Sequence, residues 1–323
     1  MARCNRWRPG GVSRNGVDDR GVLIGDWLRL ISSGKPYRPD AERNVGMFLQ
    51  RPFSTIIAGL TDVTFHPYYT GPFEHFEESL AQTSAWDIEA TVAILPVVND
   101  VLEVGCGRGR VTIALAKAGF RVAGVDSSLA AISEFRSRLD RDCYAGAIEV
   151  RHCDFLNDDS ITRRFPAVLL SNLTINLFQS DQIDALLGRI RAALTADGCL
   201  CFGVLTEPGL AKFARYDGTA RGSVHAQAYK DEQGRERLMW TLTVFNKETA
   251  TIRQDWFVDL EGSAIWPGRY HVSSLKEKLW TLDELRPSLC RRNLKVEHRI
   301  GAAIEGGGAV GAGVEFIRAR VNA

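Results

Sequence analysis

Hydrophobic and polar positions change period several times along this chain, and each change marks an element. Val101 to Val104 is a short apolar run of strand type. Val111 to Ala118 is an alanine- and aliphatic-rich helix closed by Gly119, and Arg121 to Val125 is a second strand ended by Asp126. A helix capped by Ser127 or Ser128 then carries Ala130, Ile132, Phe135 and Leu139, and Ala147 to His152 forms a third strand. Pro166 to Leu170 is an unbroken apolar run, as a central parallel strand requires. Ser180 to Leu194 places Ile183, Leu186, Leu187, Ile190 and Leu194 on one side of a helix, and Ala196-Asp197-Gly198 turns the chain into a fifth strand, Cys199 to Leu205. Strands alternating with helices in this order specify a doubly wound α/β sheet.

The period then falls to two. Ser223 to Lys230, Arg237 to Phe245 and Thr249 to Leu260 alternate polar and apolar residues, and Arg269 to Trp280 is a candidate fourth strand. These segments predict a small antiparallel sheet inserted into the α/β pattern. Thr281 caps a last helix with Asp283 and Glu284 in its first turn, and Lys295 to Ile300 with Val314 to Val321 reads as a final antiparallel pair. Ahead of the core, Ser84 to Leu95 is a helix with Ser84 as its cap and Pro96 as its stop. Val22 to Ile31 and Met47 to Leu60 are short amphipathic stretches in an otherwise poorly patterned start.

The candidate chemistry is concentrated between Val98 and Ser128. Glu103, Gly105, Gly107 and Gly109 fall at alternate positions between a strand and a helix, and Asp126 ends the next strand. Glycines at such a step let the backbone approach a ligand, and the helix start offers N–H groups to it. The dinucleotide fingerprint needs a third glycine at the position held here by Arg110, whose side chain would crowd the helix–strand contact. A carboxylate at Glu103 would repel a pyrophosphate but accept from an ammonium group. Asp126 stands where an acid can take both hydroxyls of a ribose. A ligand with a ribose, no phosphate and an amino-acid end is S-adenosylmethionine.

The glycine stretch and the Val122 to Ser128 strand resemble the cofactor motifs of class I S-adenosylmethionine-dependent methyltransferases, and the architecture is similar to that of small-molecule enzymes acting on amino sugars or glycine. The resemblance implies a Rossmann-like sheet of seven strands with an antiparallel last hairpin. It implies that Asp154, in Cys153-Asp154-Phe155, accepts from the adenine amino group while Phe155 packs on the ring; a helix cap toward Asn157-Asp158 is the plainer role for Asp154. Ser171 and Asn172, at the carboxyl end of the fourth strand, are expected to line the reacting centre. Tyr68 and Tyr69, on the aromatic segment Asp62 to Glu78, are expected to cover the methionine end, unless those rings simply cap the core. With Glu103, Gly105, Cys106, Gly107, Gly109, Asp126 and Ser127, these residues make the expected cofactor site. His66, His75 and His271 are candidate bases, and His66 and His271 are carried forward as catalytic.

The domain reading is an N-terminal extension over 1–60, a cofactor-binding core over 61–206 with 293–323, and an insertion over 207–292 that covers the acceptor or builds a dimer. Trp256, Trp266 and Tyr270 are further candidates for the acceptor wall. Composition changes this little. The chain is 45% hydrophobic and 24% charged with net charge +1, which provides no overall attraction to nucleic acid or an anionic membrane. The basic start lacks an apolar region and reads as a tail rather than a secretory signal. Seven scattered cysteines with no CxxC argue against a zinc site or a disulfide framework and suit a reducing cytoplasm. The expected activity is methyl transfer to an amine or hydroxyl of a small metabolite, natural product or peptide, by a possible homodimer. The alternatives are a non-catalytic protein that holds S-adenosylmethionine or its demethylated product, and a nicotinamide-dependent oxidoreductase.

Overall fold

The computed structural model describes residues 57, 60, 62–66, 71–73, 86–142, 147–213, 223–231, 233–263, 265, 268–301 and 313–322. The stretch 22–31, most of 47–60, Ser84, Tyr68, Tyr69, His75 and Trp266 lie outside them.

Five parallel strands form the centre: β2 (Asp100–Val104), β3 (Arg121–Asp126), β4 (Ile148–His152), β5 (Phe165–Leu170) and β6 (Leu194–Leu205). The hairpin β11 (Leu294–Gly301) and β12 (Val314–Val321) closes the sheet, with β12 antiparallel to β6. The order is β11-β12-β6-β5-β2-β3-β4, so β2 is flanked by β3 on one side and β5 on the other. That is the switch point of a doubly wound sheet, and a crevice opens outside the carboxyl ends of the strands there. The β5–β6 ladder shifts register between Phe165/Leu194 and Ala167/Cys199, where the Ala196-Asp197-Gly198 turn was expected.

Both faces of this sheet are covered. On one, α4 (Ile183–Ala193) and α6 (Leu282–Arg291) set Leu186, Leu187, Ile190, Leu285 and Leu289 against Leu102, Val168, Leu200 and Phe202. On the other lie α1 (Trp86–Ile94), α2 (Arg110–Lys117) and α3 (Leu129–Asp142); Ile94, Val111 and Leu115 pack there on Val101, Leu169 and Phe316, and Ile113 on Ile132 and Phe135. The α6 start is a reciprocal capping box: Thr281 accepts from the Glu284 N–H while the Glu284 carboxylate accepts from the Thr281 N–H.

The second sheet has five strands in the order β1-β10-β9-β8-β7. Four come from the expected insertion: β7 (Ser223–Lys230), β8 (Glu236–Asn246), β9 (Thr251–Asp259) and β10 (Tyr270–Lys278), all antiparallel. The fifth, β1 (Val63–His66), starts the segment read from sequence as an aromatic cover and pairs parallel to β10. Four residues are too few for alternation to show, so the strand is invisible without its partner. Phe245, Ala250, Ile252 and Leu279 join the cluster of Ile94, Val101 and Phe316 and root this sheet in the larger one. Among the described residues, no helix is long and apolar enough to cross a membrane.

Phe202 is wholly buried in the carboxyl half of β6. Phe202→Ala is expected to cost about 3–5 kcal/mol by denaturant unfolding, whereas Val97→Ala, at a fully exposed position, should stay within about 0.5 kcal/mol.

Candidate active site

The glycine loop is a short path between β2 and α2 that few side chains would fit. The N–H groups of Gly105 and Cys106 both donate to the Val125 carbonyl, at 2.8 and 3.1 Å, which binds the loop to the end of β3. Gly105 has φ +80°, and a Cβ there would stand 2.5 Å from the Thr174 methyl; at Gly109, φ +83°, it would enter the Phe135 ring at 2.1 Å. Gly107 at the crest has nothing within 4 Å of its missing side chain, so the outer face of the loop is open to a ligand.

Asp126 grips this loop from the end of β3. Its Oδ2 accepts from the Gly107 N–H and its Oδ1 from the Ser128 N–H, each at 2.8 Å. Each carboxylate oxygen keeps a second lone pair for another donor. Ser127 is exposed beside it, and its carbonyl accepts from His152 Nε2 at 3.1 Å. The Cys153 N–H donates to the Asp126 carbonyl at 2.9 Å, bringing Asp154 to the neighbouring strand end. Asp154 is exposed and makes a local turn: Oδ1 accepts from the Leu156 N–H at 3.1 Å and Oδ2 from Asn157 Nδ2 at 2.8 Å. At the end of β5, Asn172 is exposed, with φ +45°, and Leu173 follows at +58°. Two consecutive non-glycine residues in the left-handed region are costly, and such strain concentrates at functional sites.

Other expected residues face inward. Glu103 is 1% exposed; Oε1 accepts from the Ser171 hydroxyl at 2.6 Å and Oε2 from Thr112 at 2.5 Å. It therefore ties β2, α2 and the end of β5 together from below and does not present itself to an ammonium group. Ser171 is buried with it, and its carbonyl accepts from the Thr174 N–H and hydroxyl. Cys106 gives the loop only its backbone; its sulfur lies under Gly124, among Ile113, Ile132 and Phe135. Phe155 is 5% exposed in the main core, with the Arg189 guanidinium 5.8 Å from its ring, so it has no free face for an adenine. Strand ends next to a core leave apolar and carboxylate side chains two directions, and tertiary neighbours chose the inner one here.

His66 and His271, 205 positions apart, meet on β1 and β10. His271 Nε2–H donates to the Gly268 carbonyl at 3.3 Å, so its Nδ1 accepts from His66 Nε2–H at 2.8 Å. The rings stack with centroids 5.1 Å apart, and Phe73 meets His66 edge-on. His271 is fully buried with both nitrogens engaged, so it orients His66 and cannot itself touch a substrate. Burial, and then the neighbouring His271, hold His66 down at about 4; burial also lowers His271. Trp256 is buried against Phe73, Met239 and Val258, and Tyr270 stacks on Phe257.

Sequence reasoning missed the charge pairs around the loop. Arg110 directs both terminal guanidinium nitrogens to the two oxygens of Asp87 on α1, with Nη1 at 2.7 Å from Oδ1, and Arg108 pairs with Glu134 on α3 at 2.7 Å. Arg138 Nη1 also donates to the Arg108 carbonyl at 3.1 Å. These partners lie on separate helices, and only the presence of two arginines around Gly109 hinted at a need for acids. Among the described residues, no group of three or more His, Cys, Asp or Glu could hold a metal ion.

Burial pushes Glu103 up to about 7 against the opposing pull of its two hydroxyl donors. Between about 4.5 and 7 the folded state holds a proton that the unfolded state has released, so this group's contribution to stability falls as pH rises through that window. Glu103→Gln removes the charge: its Tm relative to the unsubstituted protein should be higher at pH 8 than at pH 5, read by thermal melts at both pH values.

A family model described as a methyltransferase domain matches residues 101–198. The cypemycin N-terminal methyltransferase of Streptomyces sp is 36% identical over 122 residues, which are 38% of this chain; the chain thus spans 46% of the length of that curated relative. The structure of the CcbJ methyltransferase from Streptomyces caelestis superposes with a TM-score of 0.56 at 20% identity, covering 74% of this chain and 90% of that one. The sugar N-methyltransferase KedS8 from Streptoalloteichus sp ATCC 53650 superposes with a TM-score of 0.58 at 15% identity, covering 82% and 98%. The glycine loop, the strand order and these likenesses agree: residues 101–198 match a methyltransferase domain model, and the chain that carries them has the Rossmann-like fold of the S-adenosylmethionine-dependent methyltransferases it superposes on.

Proposed function

We propose that this chain transfers a methyl group from S-adenosylmethionine to an amine of a small metabolite, natural product or peptide. The observation that carries the reading is the convergence of the open Gly105–Gly109 loop, Asp126, Asp154 and Asn172 at the carboxyl ends of β2, β3, β4 and β5. The donors and acceptors there fit the cofactor. Asp126 has lone pairs left for two ribose hydroxyls after binding the Gly107 and Ser128 N–H groups, exposed Asp154 can accept from an exocyclic amine, and no phosphate-binding cation is left unmatched on the loop. The likeness to a protein described as an N-terminal methyltransferase supports an amine acceptor.

Bound there, S-adenosylmethionine supplies an electrophilic methyl group, so alignment and exclusion of water are what the protein adds. Asn172 stands at the strand end nearest the switch point and is the residue best placed to orient an acceptor. The second sheet is the wall of the acceptor side. His66 donates to His271 and stays uncharged above about pH 4, which makes it a neutral hydrogen-bonding group; a base that weak does not take a proton from an alkylammonium. The acceptor amine must therefore arrive deprotonated or lose its proton to water.

Two outcomes are expected. Asp126→Ala should weaken S-adenosylmethionine binding by tenfold or more in calorimetry, because it removes the ribose acceptor and frees Gly107. With labelled cofactor and a peptide or amino-sugar acceptor, kcat/KM should climb with pH toward the acceptor's own pKa, with no inflection near 6.5. Binding without transfer to any amine or hydroxyl pool would favour a non-catalytic role, and a response to NADH instead would overturn the assignment.

A further inference from the structure

Both arginines that flank Gly109 are cancelled by an acid from a neighbouring helix. Arg110 is the first residue of α2, beside the loop, and is 26% exposed. A guanidinium there, next to a helix N-terminus, would ordinarily strengthen the attraction for phosphate. Here Asp87, 0% exposed on α1, takes it with both oxygens, and Glu134 on α3 takes Arg108. The crest N–H of Gly107, the other natural phosphate donor, is occupied by the Asp126 carboxylate. With Arg138 at the Arg108 carbonyl, three arginines stand against the three acids Asp87, Glu134 and Asp126, so the loop carries no net positive charge for a phosphate.

We propose that Asp87 and Glu134 are specificity residues: they withdraw Arg110 and Arg108 from the loop and so exclude phosphate-bearing nucleotides, leaving Asp126 to select an uncharged or cationic nucleoside. The inference rests on the proposed cofactor site and names what that site rejects. Asp87 and Glu134 act through the arginines and do not touch the ligand.

The test uses the full chain and two probes, S-adenosylhomocysteine and ADP, titrated calorimetrically at low and high salt. The unsubstituted protein should bind S-adenosylhomocysteine and leave ADP unbound at millimolar concentration. Asp87→Asn keeps the shape of the carboxylate and removes its counter-charge from Arg110; ADP affinity should rise tenfold or more and fall with salt. Adding Arg110→Met to that variant should abolish the gain. Glu134→Gln, at a more exposed pair, should produce a gain in the same direction through Arg108 and serves where Asp87→Asn does not fold. A folded variant with unchanged ADP affinity, or a gain that survives Arg110→Met, would overturn the proposal. Failure of the unsubstituted protein to bind S-adenosylhomocysteine would count against the cofactor reading itself, which the ADP comparison between variants leaves separate.

Discussion

The contact between Gly105 and Thr174 sets the distance on which the site depends. Thr174 stands so close under the loop that only a hydrogen fits between them, and the same threonine is held by two hydrogen bonds to the Ser171 carbonyl. Ser171 in turn gives its hydroxyl to Glu103, and Glu103 takes a second from Thr112 at the start of α2. The ends of β2 and β5 and the first turn of α2 are thereby locked by one buried carboxylate. The loop above this lock can keep its crest at Gly107 open.

Outside the lock, the site is held by charges that belong to other elements. α1 reaches the loop through Asp87, α3 through Glu134 and Arg138, and β3 through Asp126. A fully buried carboxylate left without its arginine is strongly destabilising, so α1 and the loop behave as one piece. The same arrangement gives the loop its electrostatic character, a rigid backbone ring whose cations are spent internally.

Much of this was legible in the sequence, for reasons that differ by residue. The parallel strands announced themselves because continuous apolar runs such as Val168 to Leu170 have no other stable home. Gly105, Gly107 and Gly109 were legible because alternate glycines between a strand and a helix have one physical use. The direction of Glu103 and Phe155 was not: a side chain at a strand end can turn toward a ligand or toward the core, and the choice was made by Ser171, Thr112 and the helix carrying Arg189, none of them local. His66 and His271 were each legible as histidines and not as a pair, since a parallel register between β1 and β10 joins positions 205 apart. β1 itself has no pattern of its own and exists because β10 offers it an edge.

The position of β12 governs when the chain can become a protein. It lies between β6 and β11, and Phe316 and Ile317 fill opposite faces of the sheet in the two clusters that hold the helices. A ribosome that has released everything up to β11 has therefore produced a sheet with its last slot empty and both layers unfinished. β1 likewise waits about two hundred residues for its partner. Long-range closures of this kind slow folding and leave apolar edges uncovered during synthesis. The glycine loop between β2 and α2 thus emerges early, but the sheet that holds it depends on β12 for its stability, and damage to that one strand would weigh more on yield in the cell than the loss of a whole surface loop.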